Sequence, residues 1–508
     1  MHLRTSFGGN PAAQTSFPED CINLPVRSSL DPRVTVPEAA ASILAALIPD
    51  YRLRRGLPPG PPVPPALQTL FEVYAPARFM LACRRRYGPV FTIQGLGTPP
   101  LVVLAAPEPV RRLFSLPSRS LSVGRGNAAL APLFGPRSLV LADGAEHQRI
   151  RRALMPGLVG AGLDGKADVV RSATLAAASA LRPGDRFSAL ALADRATLCT
   201  ILEALFGTWR APADEALRLR LTSMFGDLGS PLKTFGVLIP GLYDRLDRIP
   251  AVRRIRSDLA AVDAMLHDRI RTARARGAPA GSLLSRLLAA READGQPLGA
   301  ATIRDQLMTV LLAGHETTSA AIAWALHHIQ RRPGLRDRLV AGLARGSEDD
   351  LVAICHETLR LHPPLTGGLV RELHEPLDLG PWRLPAGTRV LAHGWLVHLD
   401  PATHEAPAEF RPERFLDRGP DRAGYLPFGG GHRQCPGQAQ ALLAMRTVLA
   451  TLLTSLHLAP LPDRPVRAMR RGGVMVPRGG VMLRVESVLA GPGSGSPAER
   501  EACHAVGT

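Results

Sequence analysis

Cys435 stands in the run Phe428-Gly429-Gly430-Gly431-His432-Arg433-Gln434-Cys435-Pro436-Gly437, directly before an apolar helical stretch from Gln438 to Leu456. A cysteine at a helix N-terminus meets unpaired backbone N–H groups and the positive end of the helix dipole, which favour the thiolate, the form that binds metal. No second Cys or His lies at the spacing of a tetrahedral zinc site. One axial thiolate facing a flat cofactor suits the pattern better, and haem iron is the usual case. The glycines let the backbone turn tightly against a planar macrocycle, and Gly437 leaves room beside the ligand. Phe428 offers an aromatic face near the sulfur, and Arg433 a charge for a propionate.

Three further constellations carry chemistry. The run Ala313-Gly314-His315-Glu316-Thr317-Thr318 sits mid-way along an apolar pattern from Ala301 to Gln330, a helix of about 45 Å that must cross most of a domain. A carboxylate and hydroxyls there are costly to bury. Ala313 and Gly314 would let a flat group lie against the helix, and a threonine hydroxyl can divert a backbone hydrogen bond and open the turn, so that polar groups could pass protons. His147 and Arg151, four apart, share a helical face from which both could donate to a carboxylate. Glu357 and Arg360, spaced i to i+3, meet on a helix that opens at Ser347-Glu348-Asp349-Asp350 and stops before Pro363-Pro364.

In this order the motifs resemble those of the cytochrome P-450 monooxygenases. Phe428-x-x-Gly431-x-Arg433-x-Cys435-x-Gly437 is similar to that family's haem-binding signature, and Ala313 to Thr317 to its oxygen-activation motif. The resemblance, over about residues 57 to 486, implies haem b with Cys435 as the metal ligand, His147, Arg151, Arg371 and Arg433 on the propionates, and Glu316 and Thr317 delivering protons. It makes Glu357 and Arg360 a structural salt bridge completed by Arg414. It implies a mainly α fold with a smaller β part and a long central helix over haem. Electrons would come ultimately from NAD(P)H through an acidic ferredoxin or flavodoxin-type donor and its reductase, since no flavin, nicotinamide or iron–sulfur segment is legible. The expected reaction is hydroxylation or epoxidation of an apolar small molecule. The alternatives are a peroxide-driven haem-thiolate enzyme, against which Glu316 and Thr317 argue, and a non-catalytic haem sensor or carrier.

The elements that must position these residues are partly legible. The chain divides into an N-terminal extension, 1–56, the haem-thiolate domain, 57–486, and a tail, 487–508, rich in Gly, Ser, Pro and charge that reads as disordered. Leu57 to Pro65 is a stiff proline-rich lead-in. A helical period runs from Phe71 to Arg86, Val90–Ile93 and Leu101–Leu104 read as strands, residues 119 to 140 as a loop-like cap on the pocket, and 472–476 with 479–483 as a terminal hairpin. The net charge of +17 comes from arginines spread without a basic tract, with lysine at Lys166 and Lys233 alone, which argues against nucleic acid and leaves an acidic protein partner. Arg149 and Arg152, turned about 200° and 100° from Arg151, are candidates for that docking face. Six scattered cysteines suggest no disulfide framework and a cytoplasmic protein. The apolar run Ala39 to Ile48 is too short to be an integral membrane span.

Overall fold

The computed structural model describes residues 56–228, 250–416, 419–421, 424–461 and 466–489. The extension, apart from Gly56, and the tail from residue 490 onward lie outside them. The chain is mainly helical with several small sheets.

The central helix, Ala300–Gln330, organises the rest. It is buried nearly all round, as a helix crossing the middle of a domain must be. Its first half, Ile303 to Leu312, packs into one apolar cluster with Leu202, Leu205, Ile255 and Leu287. Its second half, Ala320 to Ile329, packs into another with Leu359, Leu449 and Leu452. Residues 313 to 319, where small and polar side chains gather, belong to neither cluster. The notch therefore falls where two cores meet.

A five-stranded sheet joins distant parts of the chain, in the order Val90–Ile93, Leu101–Leu104, Arg389–Ala392, Arg371–Leu373, Leu121–Ser122. Only the pairing of Leu101–Leu104 with Arg389–Ala392 is parallel within this sheet. Pairing Leu121 with Leu373 carries Arg371 toward the segment that precedes His147.

Three expectations need correcting. The period from Phe71 to Arg86 is two helices, Pro65–Tyr74 and Pro76–Tyr87, because Pro76 opens a new helix and forces Ala75 out of helical geometry, at φ −144°. The terminal hairpin pairs differently: Val474–Pro477 returns on Ala468–Arg471, while Met482–Val488 joins Leu456–Pro460 and Arg186–Ser188. That last strand also carries the ordered domain two residues beyond 486. The cap at 119 to 140 is a series of short turns fastened to the central helix, where Asp305 accepts from Arg137 N at 2.9 Å and Gln306 from Leu139 N at 2.8 Å. Among the described residues Cys83, Cys199 and Cys355 are buried free thiols.

Candidate active site

Cys435 lies at the end of its glycine turn, its N–H donating to Phe428 O at 3.0 Å, three residues before the helix Gln438–Ser455 begins. Gly431 is required twice over, by a φ of +66° and because a Cβ there would stand 3.0 Å from Phe114 O. Gly437 passes the sulfur closely, its Cβ position being 4.0 Å from Cys435 Sγ. The thiol is exposed, yet burial still dominates its ionisation. Burial raises the Cys435 pKa against the Gly437 N–H and the Arg151 charge.

Cations gather round this loop. Arg151, on the helix Gly144–Leu154, donates to Gln434 O at 2.8 Å. Arg371, buried at the start of its strand, donates to Gly430 O at 3.4 Å and lies over the Phe114 ring. Arg433 bonds Asp143 Oδ1 at 2.6 Å and Leu139 O at 3.2 Å, while its buried Nε has no hydrogen-bond partner among the described residues. Burial pulls the Arg371 and Arg433 pKa values down to about 10, so both remain charged at neutrality. Burial, with Arg433 and Arg151 nearby, holds His147 down to about 3. It is therefore a neutral N–H donor, with its ring 6.4 Å from that of His432.

Asp143, to which the sequence reading assigned no role, is the counter-charge. It precedes the helix of His147 but does not cap it; its carboxylate accepts instead from Ser122 Oγ, Val123 N and Gly124 N as well as from Arg433. Burial works to raise its pKa, and these donors outweigh it and lower it. Three arginines against one carboxylate, with one guanidinium N–H unpaired, leave a positive excess beside an accessible thiol. That donor set fits a haem, with iron on Cys435 and two propionates among Arg151, Arg371, Arg433 and His147.

The notch on the central helix has two sides. Ala313 is exposed, and Gly314 and Thr317 are half-buried, along a stretch that is otherwise buried. Thr317 Oγ1 donates to Ala313 O at 2.8 Å and Thr318 Oγ1 to Gly314 O at 3.1 Å, the diverted bonding expected there. Glu316 is not on this open side. It is 5% exposed and accepts from Arg471 Nε at 2.6 Å, and Arg471 in turn holds Asp194 at 3.1 and 3.2 Å. Ser319 also donates to Asp194, and His315 Nε2 lies 3.6 Å from it. Burial pushes the Glu316 carboxyl up to about 7, against the pull of Arg471. The structure thus does not bring Glu316 and Thr317 side chains together. Arg471 and Asp194 were missed; the only signal was an arginine pair before Gly472-Gly473.

Glu357 and Arg360 form the expected pair, both fully buried, at 2.7 Å and 2.8 Å, and Arg414 Nε completes it at 3.2 Å. Of the two docking candidates, Arg149 pairs with Glu292 at 2.8 Å and Arg152 is the one exposed.

An accessible thiol in a cationic ring, on a helical fold whose long central helix packs on the helix after the cysteine, defines a haem-thiolate protein. The comparisons with known proteins agree. Residues 58–485 match the family model described as Cytochrome P450. A Mycobacterium tuberculosis protein named "Putative cytochrome P450 135A1" is 33% identical over 455 residues, 88% of this chain and 99% of that one. "Putative cytochrome P450 137" from the same organism is 32% identical over 479 residues, 89% of this chain and 97% of that one. Among solved structures, retinoic acid bound cyanobacterial CYP120A1 aligns with a TM-score of 0.75 at 22% identity, over 85% of this chain and 99% of that one. The cytochrome P450DA heme domain aligns at 0.73, also at 22% identity, over 85% and 97%. The chain belongs to the cytochrome P450 family, and is in general terms a haem-thiolate monooxygenase.

Proposed function

We propose that the chain oxygenates an apolar small molecule, by hydroxylation or epoxidation, with electrons from a separate acidic ferredoxin or flavodoxin-type donor reduced by NAD(P)H through its reductase. The observation that carries this reading is the accessible thiol ringed by Arg151, Arg371 and Arg433, with an unpaired Arg433 Nε. When bound, haem supplies an iron centre that activates dioxygen. The chain's own residues do the rest. Cys435 provides the thiolate, and Arg151, Arg371, Arg433 and neutral His147 hold the propionates.

On the open side of the central helix, Val310 and Ala313 are apolar and Thr317 carries the one hydroxyl, which favours an apolar substrate, while the bare face of Gly314 accommodates Ile201, 2.8 Å from where its Cβ would stand. Thr317 Oγ1, which rests donating to Ala313 O, would turn its proton to that space. Glu316, titrating near neutrality behind it, replenishes the proton by turning away from Arg471. Asp194, partly exposed, links that acid to solvent. For the donor, Arg152 stands outward on the helix whose neighbouring Arg151 touches the cysteine loop, so an acidic partner there would be steered by charge. A cytoplasmic setting accords with the free thiols, and among the described residues no helix is long and apolar enough to cross a membrane.

Turnover of a bound apolar compound with a ferredoxin, its reductase and NADPH, set beside turnover with hydrogen peroxide alone, tests the reading. Product in the first arm, slowed by salt and by Arg152→Glu, supports it. Product with peroxide alone assigns the peroxide-driven reaction, and none in either arm a carrier or sensor.

A further inference from the structure

Residues 135 to 143 run between the central helix and the loop of Cys435, outside any helix or strand. A backbone stretch of that kind must find partners for its N–H and C=O groups elsewhere. It finds them on both sides. From the central helix, Asp305 accepts from Arg137 N at 2.9 Å, while Gln306 donates to Arg137 O at 2.7 Å and accepts from Leu139 N at 2.8 Å. From the cysteine loop, Arg433 donates to Leu139 O at 3.2 Å, to Ala142 O, and to Asp143 Oδ1 at 2.6 Å. Leu139 is the shared residue, its N–H held by Gln306 and its C=O by Arg433.

The grip from the central helix is firm. Gln306 is fully buried and Asp305 is 4% exposed. Both ends of the Gln306 amide are used, Nε2 also reaching Thr302 O at 3.2 Å. Asp305 is itself held by Arg304 Nη1 at 3.0 Å. Gly135, at φ +85°, lets the turn come this close, since a Cβ there would stand 2.0 Å from Asp305 Oδ1. Gln306 precedes Ala313 by seven residues and Thr317 by eleven, close to two and three helical turns, so all three share one face of the helix, with Gln306 about 10 Å from Ala313 along the axis.

At the other end, the three acceptors fix the terminal nitrogens of Arg433 and leave its buried Nε without a hydrogen-bond partner among the described residues. Where Leu139, Ala142 and Asp143 stand therefore decides where that N–H aims.

We propose that Gln306, with Asp305 beside it, is a positioning residue for a haem propionate: through Leu139 it sets the aim of Arg433, so that the helix bearing Thr317 also holds the propionate cradle. This rests on the reading of Cys435 and its arginines as a haem site. An arginine held off its carboxylate loses much of a charge-assisted bond. The negative charge left less well met beside the iron then favours the ferric state.

The test is transfer of haem from the loaded full chain to excess apomyoglobin, with the haem reduction potential measured on the same samples. Gln306→Leu removes both Gln306 bonds to residues 137 to 139; it should speed haem release roughly tenfold, the scale of one buried hydrogen bond, and lower the potential. Gln306→Glu keeps the acceptor for Leu139 N and loses the donor to Arg137 O. It should show both changes at smaller size, and it carries the test should the leucine variant not fold. Leu339→Ala, in the apolar cluster around the second half of the central helix, should lower the thermal midpoint without moving the potential. Faster release that only tracks the thermal midpoint, as in Leu339→Ala, with the potential unmoved, overturns the proposal and makes Gln306 a fastening of the cap alone. Unchanged release and potential in the Gln306 variants, beside a wild type that holds haem, also overturn this proposal by itself; a wild type that takes up no haem overturns it together with the haem reading.

Discussion

Two buried glutamates, each paired with an arginine, are built to opposite ends. Glu357 accepts from Arg360 Nε and Nη2, from Arg414 Nε and from Arg411 N, the last at 2.6 Å. Arg360 spends its remaining N–H groups on His398 O, Pro407 O and Glu409 O, so all five of its donors are used. His398 is fixed too, Nδ1 donating to Arg360 O at 2.9 Å and Nε2 accepting from Leu426 N at 2.7 Å. Glu316 receives one donor among the described residues, Arg471 Nε, and titrates near neutrality. Saturation locks a charged group, and one bond leaves it able to leave. The first pair fastens the helix Asp349–Leu361 to the segment from Pro407 to Arg414; the second is the one we propose to move a proton.

Breaking the saturated pair should have the largest effect. Glu357→Ala strands Arg360 and Arg414 in the core and should cost about 3 to 5 kcal/mol, read as a lower urea midpoint with less haem retained. Thr317→Ala comes next and should leave fold and haem binding intact. Coupled product should fall on the order of 10²-fold or more while NADPH oxidation continues. A fall in both together would make Thr317 a binding residue.

The smallest effects separate the mobile pair from the locked one. Glu316 donates only when protonated, so coupling should decline as pH rises through about 7. Arg471 pulls that pKa down, so Arg471→Gln should move the decline to higher pH, which loss of a purely structural contact would not do. Stability follows the same sign. A carboxyl raised from 4.5 to about 7 by folding helps the fold below 4.5 and loses that contribution as pH climbs through 7. Glu316→Gln should therefore gain on wild type in thermal midpoint across that window.

The locked pair was legible in the sequence and the mobile one only in half, for a physical reason. Glu357, Arg360 and the helix Asp349–Leu361 sit close in sequence, bounded by acids and prolines, so local chemistry announces them. The long apolar period of Ala300–Gln330 and the glycine turn before Cys435 are local signals as well. Arg471 meets Glu316 across 155 positions, and Asp143 meets Arg433 across 290; no period or spacing carries such pairings. The terminal hairpin failed similarly: Gly472-Gly473 and Gly479-Gly480 both signal turns, and which strands they join is decided by the sheet that takes Met482–Val488.

The central claim is that Cys435 is the thiolate on haem iron, and the carbon monoxide spectrum of the reduced protein tests it most directly. Wild type should show the long-wavelength Soret band of a thiolate-ligated haem, and Cys435→Ser should lose it. A Cys435→Ser protein that keeps that band would contradict the assignment, and with it the role given to every residue around the loop.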